Sequence, residues 1–468
     1  MRVLFVAVEA APWIKVGGLA DVIGSLPRAL RDQGVDARVC LPAHAGVMDH
    51  ARGLQIVARF GVPHVQGSLE ATIYETTLGG VPTYLVSGPP IPPHELVYTA
   101  RMDEEGHRFT FFSIAALELA HRHVRPDVIH AHDWHAALSI CTHDFHTLLT
   151  VHNLPYAGRG AEGAMAGFDK HATFDPRVPE ELRGAPLAIG LVAAERISTV
   201  SEGYAREILT PELGAGLEGL LRSRRADLTG ILNGLDIESW DPMRDAGFDA
   251  STPDARRIAE AKLRAELGFP QDRVPLIAVV SRLVPQKGVD LALEALRALE
   301  RPHYAVFLGT GEPALEQAIL ELEKARPGQV RARIGFDDAL ARRIYAGADF
   351  LLLPSRYEPC GMTQMIGMRY GCVPIARETG GLADTVFDVD LSDRPTGILF
   401  PDASVSSTVF ALRRALALYA RPDGVEALRR FGMTHDFSWR RSAADYVSLY
   451  RSLAGSHRAE RPGEGMRS

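Results

Sequence analysis

Leu276-Ile277-Ala278-Val279-Val280-Ser281-Arg282-Leu283-Val284-Pro285-Gln286-Lys287-Gly288 opens on five apolar residues and ends on a glycine that precedes a helical run. An apolar run this short, without polar alternation, reads as a strand buried on both faces, and such strands belong to parallel sheets covered by helices. Downstream the pattern repeats. Strands are expected at Ala305–Leu308, Phe350–Leu353, Val373–Ala376 and Ile398–Phe400, and helices at Val289–Leu299, Pro313–Lys324, Asp338–Ala346 and Gly361–Tyr370. Upstream, Val3–Val8, Ala37–Leu41, Ile73–Thr77, Thr83–Val86, Val128–Ala131, Leu148–Val151 and Ile197–Val200 are the expected strands, with helices at Arg108–Arg122 and Arg256–Leu267. Strands alternating with helices of this length predict α/β domains of the doubly wound type.

The turn Asn233-Gly234-Leu235-Asp236, then Trp240-Asp241-Pro242 and the polar stretch Met243–Asp254, separate the two series. The expectation is two Rossmann-like domains, residues 1–245 and 246–437, facing a cleft, followed by a helix over 438–454 and a polar tail over 455–468. A chain of 468 residues is too long for one core, since single cores stop growing near about 250–300 residues. Ligands of such sheets sit beyond the carboxyl ends of the strands.

Composition narrows the function. Hydrophobic residues at 46% with charged residues at 23% exclude extended disorder. With 51 Lys+Arg against 58 Asp+Glu the formal net charge is −7, which argues against a protein that coats nucleic acid or an anionic membrane. The opening apolar run Val3–Val8 is too short for a signal peptide, and no run approaches the roughly 20 residues of a membrane span. Cys40, Cys141, Cys360 and Cys372 show no CxxC spacing, so a cytoplasmic enzyme or binding protein is the expectation.

Several strand ends carry polar constellations. Arg282 and Lys287 leave one strand together; a guanidinium fork and an ammonium suit a diphosphate. Glu358, in Pro354-Ser355-Arg356-Tyr357-Glu358-Pro359-Cys360-Gly361, sits just before a helix, where it is either an acidic hydrogen-bond acceptor or a dipole compensator. Cys360 has no base beside it in sequence and is a poor nucleophile candidate. Lys15-Val16-Gly17-Gly18 and Thr379-Gly380-Gly381 each bring two glycines to a helix entry, a device that exposes N–H groups to an anion, although Gly17-Gly18 read equally well as a tight strand-to-helix turn. The first matches neither the P-loop nor the GxGxxG pattern.

His130-Ala131-His132-Asp133-Trp134-His135 invites a metal, but Trp134 stands where a metallo-hydrolase pattern needs Asp, and hydrogen bonding at a strand end is preferred. His152-Asn153 ends the next strand. Asp388-Val389-Asp390 spells a DxD but follows a helix, so a surface turn is expected.

Taken together, Lys15–Pro27, Pro126–Leu138, Thr199–Ile208, Thr229–Asp236, Ser281–Asp290 and Pro354–Val386 resemble the bacterial glycogen/starch synthase family, retaining glycosyltransferases of the GT-B fold. The resemblance implies transfer of glucose from ADP-glucose to the non-reducing end of an α-1,4-glucan, with no metal and no other cofactor. It further implies that Arg282 and Lys287 hold the departing diphosphate, with Glu358 on the glucosyl unit. Lys15, Gly17, Gly18 and Asp21 would close on the nucleotide sugar, and Thr379, Gly380, Gly381, Cys360 and Gly361 would line its phosphate or sugar. His152, Asn153, Asp133 and Asn233 would contact sugar, and the last helix would cross back to the first domain. Departures from the family pattern concentrate in the first domain, at Tyr156-Ala157-Gly158, the short Arg159–Pro186 segment and Pro186–Ile189; Ile366 is another, where Tyr is frequent. A transferase using UDP-glucose or a small acceptor, a glucan phosphorylase, whose pyridoxal phosphate lysine motif is not found, and a non-catalytic glycan-binding protein are the alternatives.

Overall fold

In a computed structural model, residues 1–44, 46–91, 97–99, 101–421 and 423–456 are described. The chain divides into two units, Met1–Gly234 with the chain from Trp439 onward, and Leu235–Ser438. The division falls before residue 245 because Asp236–Gly247 is tied to the second unit. Arg342 holds Asp245 at 2.6 Å, the Tyr370 hydroxyl donates to the same carboxylate, and Arg369 donates to the Trp240 and Ile237 carbonyls. The last helix, Trp439–Ser456, packs in the first unit, where Ser442 donates to the Leu232 carbonyl and the Arg440 carbonyl accepts from Gln33. The tail beyond residue 456 lies outside the described residues.

The first sheet comprises β1 (Arg2–Val6), β2 (Asp36–Pro42), β3 (Gln55–His64), β4 (Gly67–Leu78), β5 (Val81–Ser87), β6 (Val128–His132), β7 (His146–Val151), β8 (Arg196–Thr199) and β9 (Leu228–Gly230). Its order is β3-β4-β5-β2-β1-β6-β7-β8-β9. The second comprises β10 (Leu276–Val280), β11 (Tyr304–Gly309), β12 (Val330–Ile334), β13 (Phe350–Leu353), β14 (Val373–Arg377) and β15 (Ile398–Phe400). Its order is β12-β11-β10-β13-β14-β15, parallel throughout.

Apolar strands form the centres. Val3, Leu4, Phe5 and Val6 have no exposed surface, and each such side chain contributes about 1.5–3 kcal/mol by leaving water. In the second unit Ile277, Val279, Phe307, Phe350, Leu352 and Ile375 share one core. The first sheet departs from the expected all-parallel pattern, because β3 pairs antiparallel with β4, and β4 with β5. Three strands go unannounced in sequence: β3, β9 and β12. Arg59, Gly61 and Pro63 dilute the apolar signal of β3, whose outer face is wet.

Both sheets reverse their winding at one place. β1 lies between β2 and β6, and β10 lies between β11 and β13. At such switch points the connections leave to opposite faces, opening a crevice at the carboxyl ends of the two strands. Residues after β1, β6, β10 and β13 are therefore the ones best placed to hold a ligand.

Candidate active site

In the second unit the crevice lies after β10 and β13. Beyond Val280 the chain makes a short turn over Pro285–Lys287 and enters the helix Val289–Ala298 through Gly288. Gly288 sits at φ 64°, and a Cβ there would meet the Pro354 carbonyl oxygen at 2.0 Å, so only glycine lets the two loops approach this closely. That approach brings Lys287 Nζ to 2.6 Å from Glu358 Oε2. Ser355 Oγ donates to the same carboxylate oxygen at 3.2 Å. The loops are stitched further. Arg356 N–H donates to the Gln286 carbonyl at 2.8 Å, Gln286 Nε2 to the Tyr357 carbonyl at 3.3 Å, and Arg356 forks onto Asp290 at 2.8 and 2.7 Å.

Arg282 extends from the same turn, exposed, with a long 3.4 Å contact to Gln286 Oε1. Two cations of different freedom thus share one strand end: Lys287 held against a buried carboxylate, and Arg282 open to solvent. Thr379, Gly380 and Gly381 follow β14 and enter the helix Gly380–Thr385. Here the structure corrects an expectation. Gly381 N–H donates to the Glu358 carbonyl at 2.9 Å, so this amide is committed within the protein. A Cβ on Gly381 would meet the Cys360 carbonyl at 1.9 Å, which makes this glycine a close-packing joint between the β13 and β14 loops. Cys360 is buried, its carbonyl accepting from Gln364 at 3.1 Å, and Gly361 takes φ 73° to begin the turn into the helix Thr363–Arg369.

In the first unit the crevice lies after β1 and β6. Glu9 is almost wholly buried, at 2% exposure, and its carboxylate is fully engaged. Val16 and Gly17 N–H donate to Oε2 at 2.6 and 2.8 Å, and the Tyr98 hydroxyl donates to Oε1. The expectation that Gly17 offers its amide to a ligand is corrected by this contact: an internal carboxylate already takes it. Gly18 begins the helix Gly18–Arg31, is exposed, and has open space beside it. Lys15 pairs with Asp21 at 2.8 Å, both partly exposed.

After β6, Asp133 adopts φ 56°, a conformation seldom taken by a residue with a Cβ. The strain places its Oδ1 to accept the His152 N–H at 2.7 Å. Burial, with the Glu9 charge nearby, pushes the Asp133 carboxyl up to about 7 against the N–H groups of His152 and Asn153. His132 Nδ1 and His152 Nε2 share a hydrogen bond at 2.9 Å. His130 lies beside His132, with ring centroids 4.2 Å apart, and bonds Thr150 at 2.6 Å and Tyr450 of the last helix at 2.8 Å. Burial drives His130 and His132 well below the ordinary imidazole range and takes His152 down to about 3, so these rings are neutral at pH 7. The buried amide oxygens of Asn153 and Asn233 have no protein partner among the described residues and are suited to accept from a hydroxyl.

Among the described residues no group of three His, Cys, Asp or Glu could hold a metal ion. Asp388 and Asp390 are clamped by Arg414, with Asp388 also accepting the Leu399 N–H at 2.6 Å, which makes them a brace within the fold. No described helix is long and apolar enough to cross a membrane.

Comparisons with known proteins agree on one family. Residues 2–223 match the starch synthase catalytic domain, and residues 260–430 match glycosyl transferases group 1. The chain is 41% identical to a glycogen synthase of Anaeromyxobacter dehalogenans, over 97% of this chain and 99% of that one. It is 39% identical to a glycogen synthase of Thioalkalivibrio sulfidiphilus, over 97% and 100%. The chain belongs to the glycogen/starch synthase family. Among solved structures it resembles the catalytic domain of starch synthase IV from Arabidopsis thaliana, solved with ADP and acarbose, at TM-score 0.87 and 32% identity over 97% of this chain and 99% of that one. A sucrose-phosphate synthase from Thermosynechococcus elongatus, at TM-score 0.65 and 19% identity over 97% and 99%, shares the fold. The chain is therefore a glycosyltransferase of the GT-B class.

In this family member the structure joins Lys287 to Glu358, His152 to Asp133, and Lys15 to Asp21. It also adds residues the sequence reading passed over. Glu9 ended an apolar run and gave no motif of its own, and Tyr98 acts through a partner distant in sequence; His132, weighed in sequence only as a metal candidate, bonds His152. Phe336 is 84% exposed just past β12, where Gly335 N–H donates to the Gly309 carbonyl. The exposed ring lies two residues beyond the carboxyl end of β12.

Proposed function

We propose that this enzyme transfers glucose from ADP-glucose to the non-reducing 4-hydroxyl of an α-1,4-glucan, with retention, as the elongation step of glycogen synthesis in the cytoplasm. The Lys287–Glu358 pair at the switch point of the second sheet carries the reading. A cation and a carboxylate fixed 2.6 Å apart match the two ends of a glycosyl–phosphate bond: diphosphate on one side, sugar hydroxyls on the other. The donor's identity is supported by the starch synthase IV neighbour, which was solved with ADP.

As the C1–O bond to phosphate breaks, negative charge grows on the diphosphate. Arg282 and Lys287 meet it, each well-placed group contributing roughly 3–4 kcal/mol at the transition state. Glu358, held by Ser355 and Lys287, accepts from glucosyl hydroxyls and fixes the sugar. The acceptor 4-oxygen forms the new bond to C1 on the face the phosphate leaves, and its proton passes to the departing phosphate oxygen. Glu358 is assigned to the sugar hydroxyls and not as a nucleophile, so the course taken is this same-face one in place of a double displacement through a carboxylate. Two side-chain cations supply the charge, so no metal is assigned to the step. Lys15, Asp21 and the free Gly18 end of the first loop are assigned to the nucleotide sugar, His152, Asn153, Asp133 and Asn233 to sugar hydroxyls, and Phe336 to the base.

The test is nucleoside diphosphate release from ADP-glucose or UDP-glucose with a glycogen primer, with the anomer of the new linkage read by NMR. ADP release with an α-linkage is expected. Preference for UDP-glucose would overturn the donor assignment, and no release from either donor would overturn the catalytic reading.

A further inference from the structure

His132 has not been given a role beyond its place in the strand. It is the penultimate link of a row of buried rings: Phe5 stacks on it at 5.6 Å, His130 lies beside it at 4.2 Å, and His152 bonds it at 2.9 Å. The pair of histidines shares one hydrogen bond between two ring nitrogens, which requires one N–H and one lone pair. Two arrangements satisfy that bond. In the first, His132 Nδ1–H donates to His152 Nε2; in the second, His152 Nε2–H donates to His132 Nδ1.

The far nitrogen of His132 separates them. His132 Nε2 is buried and has no hydrogen-bond partner among the described residues. In a neutral ring the proton sits on one nitrogen only. The second arrangement would put it on Nε2, leaving a buried N–H with nothing to donate to. The first leaves only an unshared lone pair there. Buried orphan donors are rarer and costlier than under-used acceptors. His152 is the half-buried member of the pair, and its Nδ1 has no protein partner among the described residues.

We infer that His132 is a positioning residue that fixes the tautomer of His152, so that His152 presents an Nδ1–H donor at the carboxyl end of β7. The titratable groups facing the pair are His130 beside His132 and Asp133, which holds the His152 backbone amide. A fixed donor discriminates. It bonds a sugar hydroxyl oxygen or a developing negative oxygen and rejects a cation, whereas a ring free to exchange tautomers would do both. This inference rests on the assignment of His152 to the sugar only for its kinetic consequence; the tautomer itself can be read with no substrate present.

The experiment is long-range proton–nitrogen NMR on 15N-histidine-labelled full-length protein at pH 7, with His152→Gln used to assign the ring. The expected wild-type result is a protonated Nδ1 and an unprotonated Nε2 on His152. His132→Asn, whose amide nitrogen takes the place of Nδ1, should keep that pattern and keep kcat within about threefold. His132→Phe removes the donor while keeping a ring for Phe5, and should release His152 to a tautomer mixture. It should lower kcat about 10- to 100-fold with donor KM little changed. A wild-type His152 protonated on Nε2 overturns the inference even if the enzyme transfers glucose as proposed. The predicted tautomer with full kcat in a folded His132→Phe variant overturns its catalytic consequence alone.

Discussion

The two glycine pairs look alike in sequence and are built differently. Both follow a strand and open a helix. In the first unit Gly18 has open space around it, and the preceding amides are drawn inward by Glu9. In the second unit Gly381 is wedged against the Cys360 carbonyl and gives its amide to Glu358. The lysines differ in the same way. Lys287 pairs with Glu358 where the side chains are 19% and 8% exposed, and Lys15 pairs with Asp21 where they are 41% and 20% exposed. One region is an open loop anchored from beneath, and the other is a rigid joint that carries its charges on fixed stems. Removing one partner of a buried, hydrogen-bonded pair costs more than removing one partner of an exposed pair, because the other charge is left buried.

The sharpest way to break this contrast is to add one methyl group to each loop. Gly381→Ala puts a Cβ at 1.9 Å from a backbone oxygen, so the loop must shift; thermal or urea unfolding should show a loss of about 3 kcal/mol or more. Gly18→Ala meets nothing within 4 Å and should stay within about 0.5 kcal/mol of the parent. Equal losses would erase the distinction.

The lysines come next. Lys287→Ala should lower kcat/KM for the nucleotide sugar about 100-fold or more, because it removes a fixed counter-charge and strands Glu358 in a buried site. Lys15→Ala, on the open loop, should cost about tenfold and mainly in donor KM. Steady-state kinetics with the donor varied separate the two, and an equal loss in both would count against the rigid-joint view.

Glu9→Gln tests the anchor beneath the open loop. The amide retains one acceptor but faces either Tyr98 or the Val16 and Gly17 amides with an N–H, and should destabilise the protein by about 1–2 kcal/mol. Donor KM should rise with it. A variant as stable as the parent, with unchanged KM, would remove Glu9 from the account.

The smallest effect concerns Asp133. Its carboxyl is pushed up from 3.8 to about 7 by burial, so the folded protein holds a proton that the unfolded chain has already released. That contribution to stability is complete below the unfolded value and is lost as pH rises through about 7. Asp133→Asn should therefore gain on the parent between pH 5 and pH 8, by on the order of 1 kcal/mol in urea unfolding. A difference that is flat with pH would contradict the buried carboxyl.

Sequence legibility followed the same division. The second unit was readable because its strands are continuous apolar runs and its polar residues sit at their ends: Arg282, Lys287 and Glu358 were all named from position alone. What could not be read was contact across elements. That Lys287 and Glu358 touch and that Gly381 is committed to the Glu358 carbonyl depend on atoms far apart in the chain, and that Glu9 fills the anion position of the first loop depends on how that loop folds back over it. β3 escaped because its half-wet strand carries Arg59, Gly61 and Pro63 among its apolar residues.

The account's central claim is that Lys287 and Arg282 receive the departing diphosphate while Glu358 keeps the sugar. A crystal structure of the enzyme with ADP and glucose tests it most directly. The expected result is the distal phosphate within hydrogen-bond distance of both cations, Lys287 drawn from Glu358 toward it, and Glu358 on glucose hydroxyls. A diphosphate bound away from Arg282 and Lys287, with the Lys287–Glu358 pair intact, would contradict it.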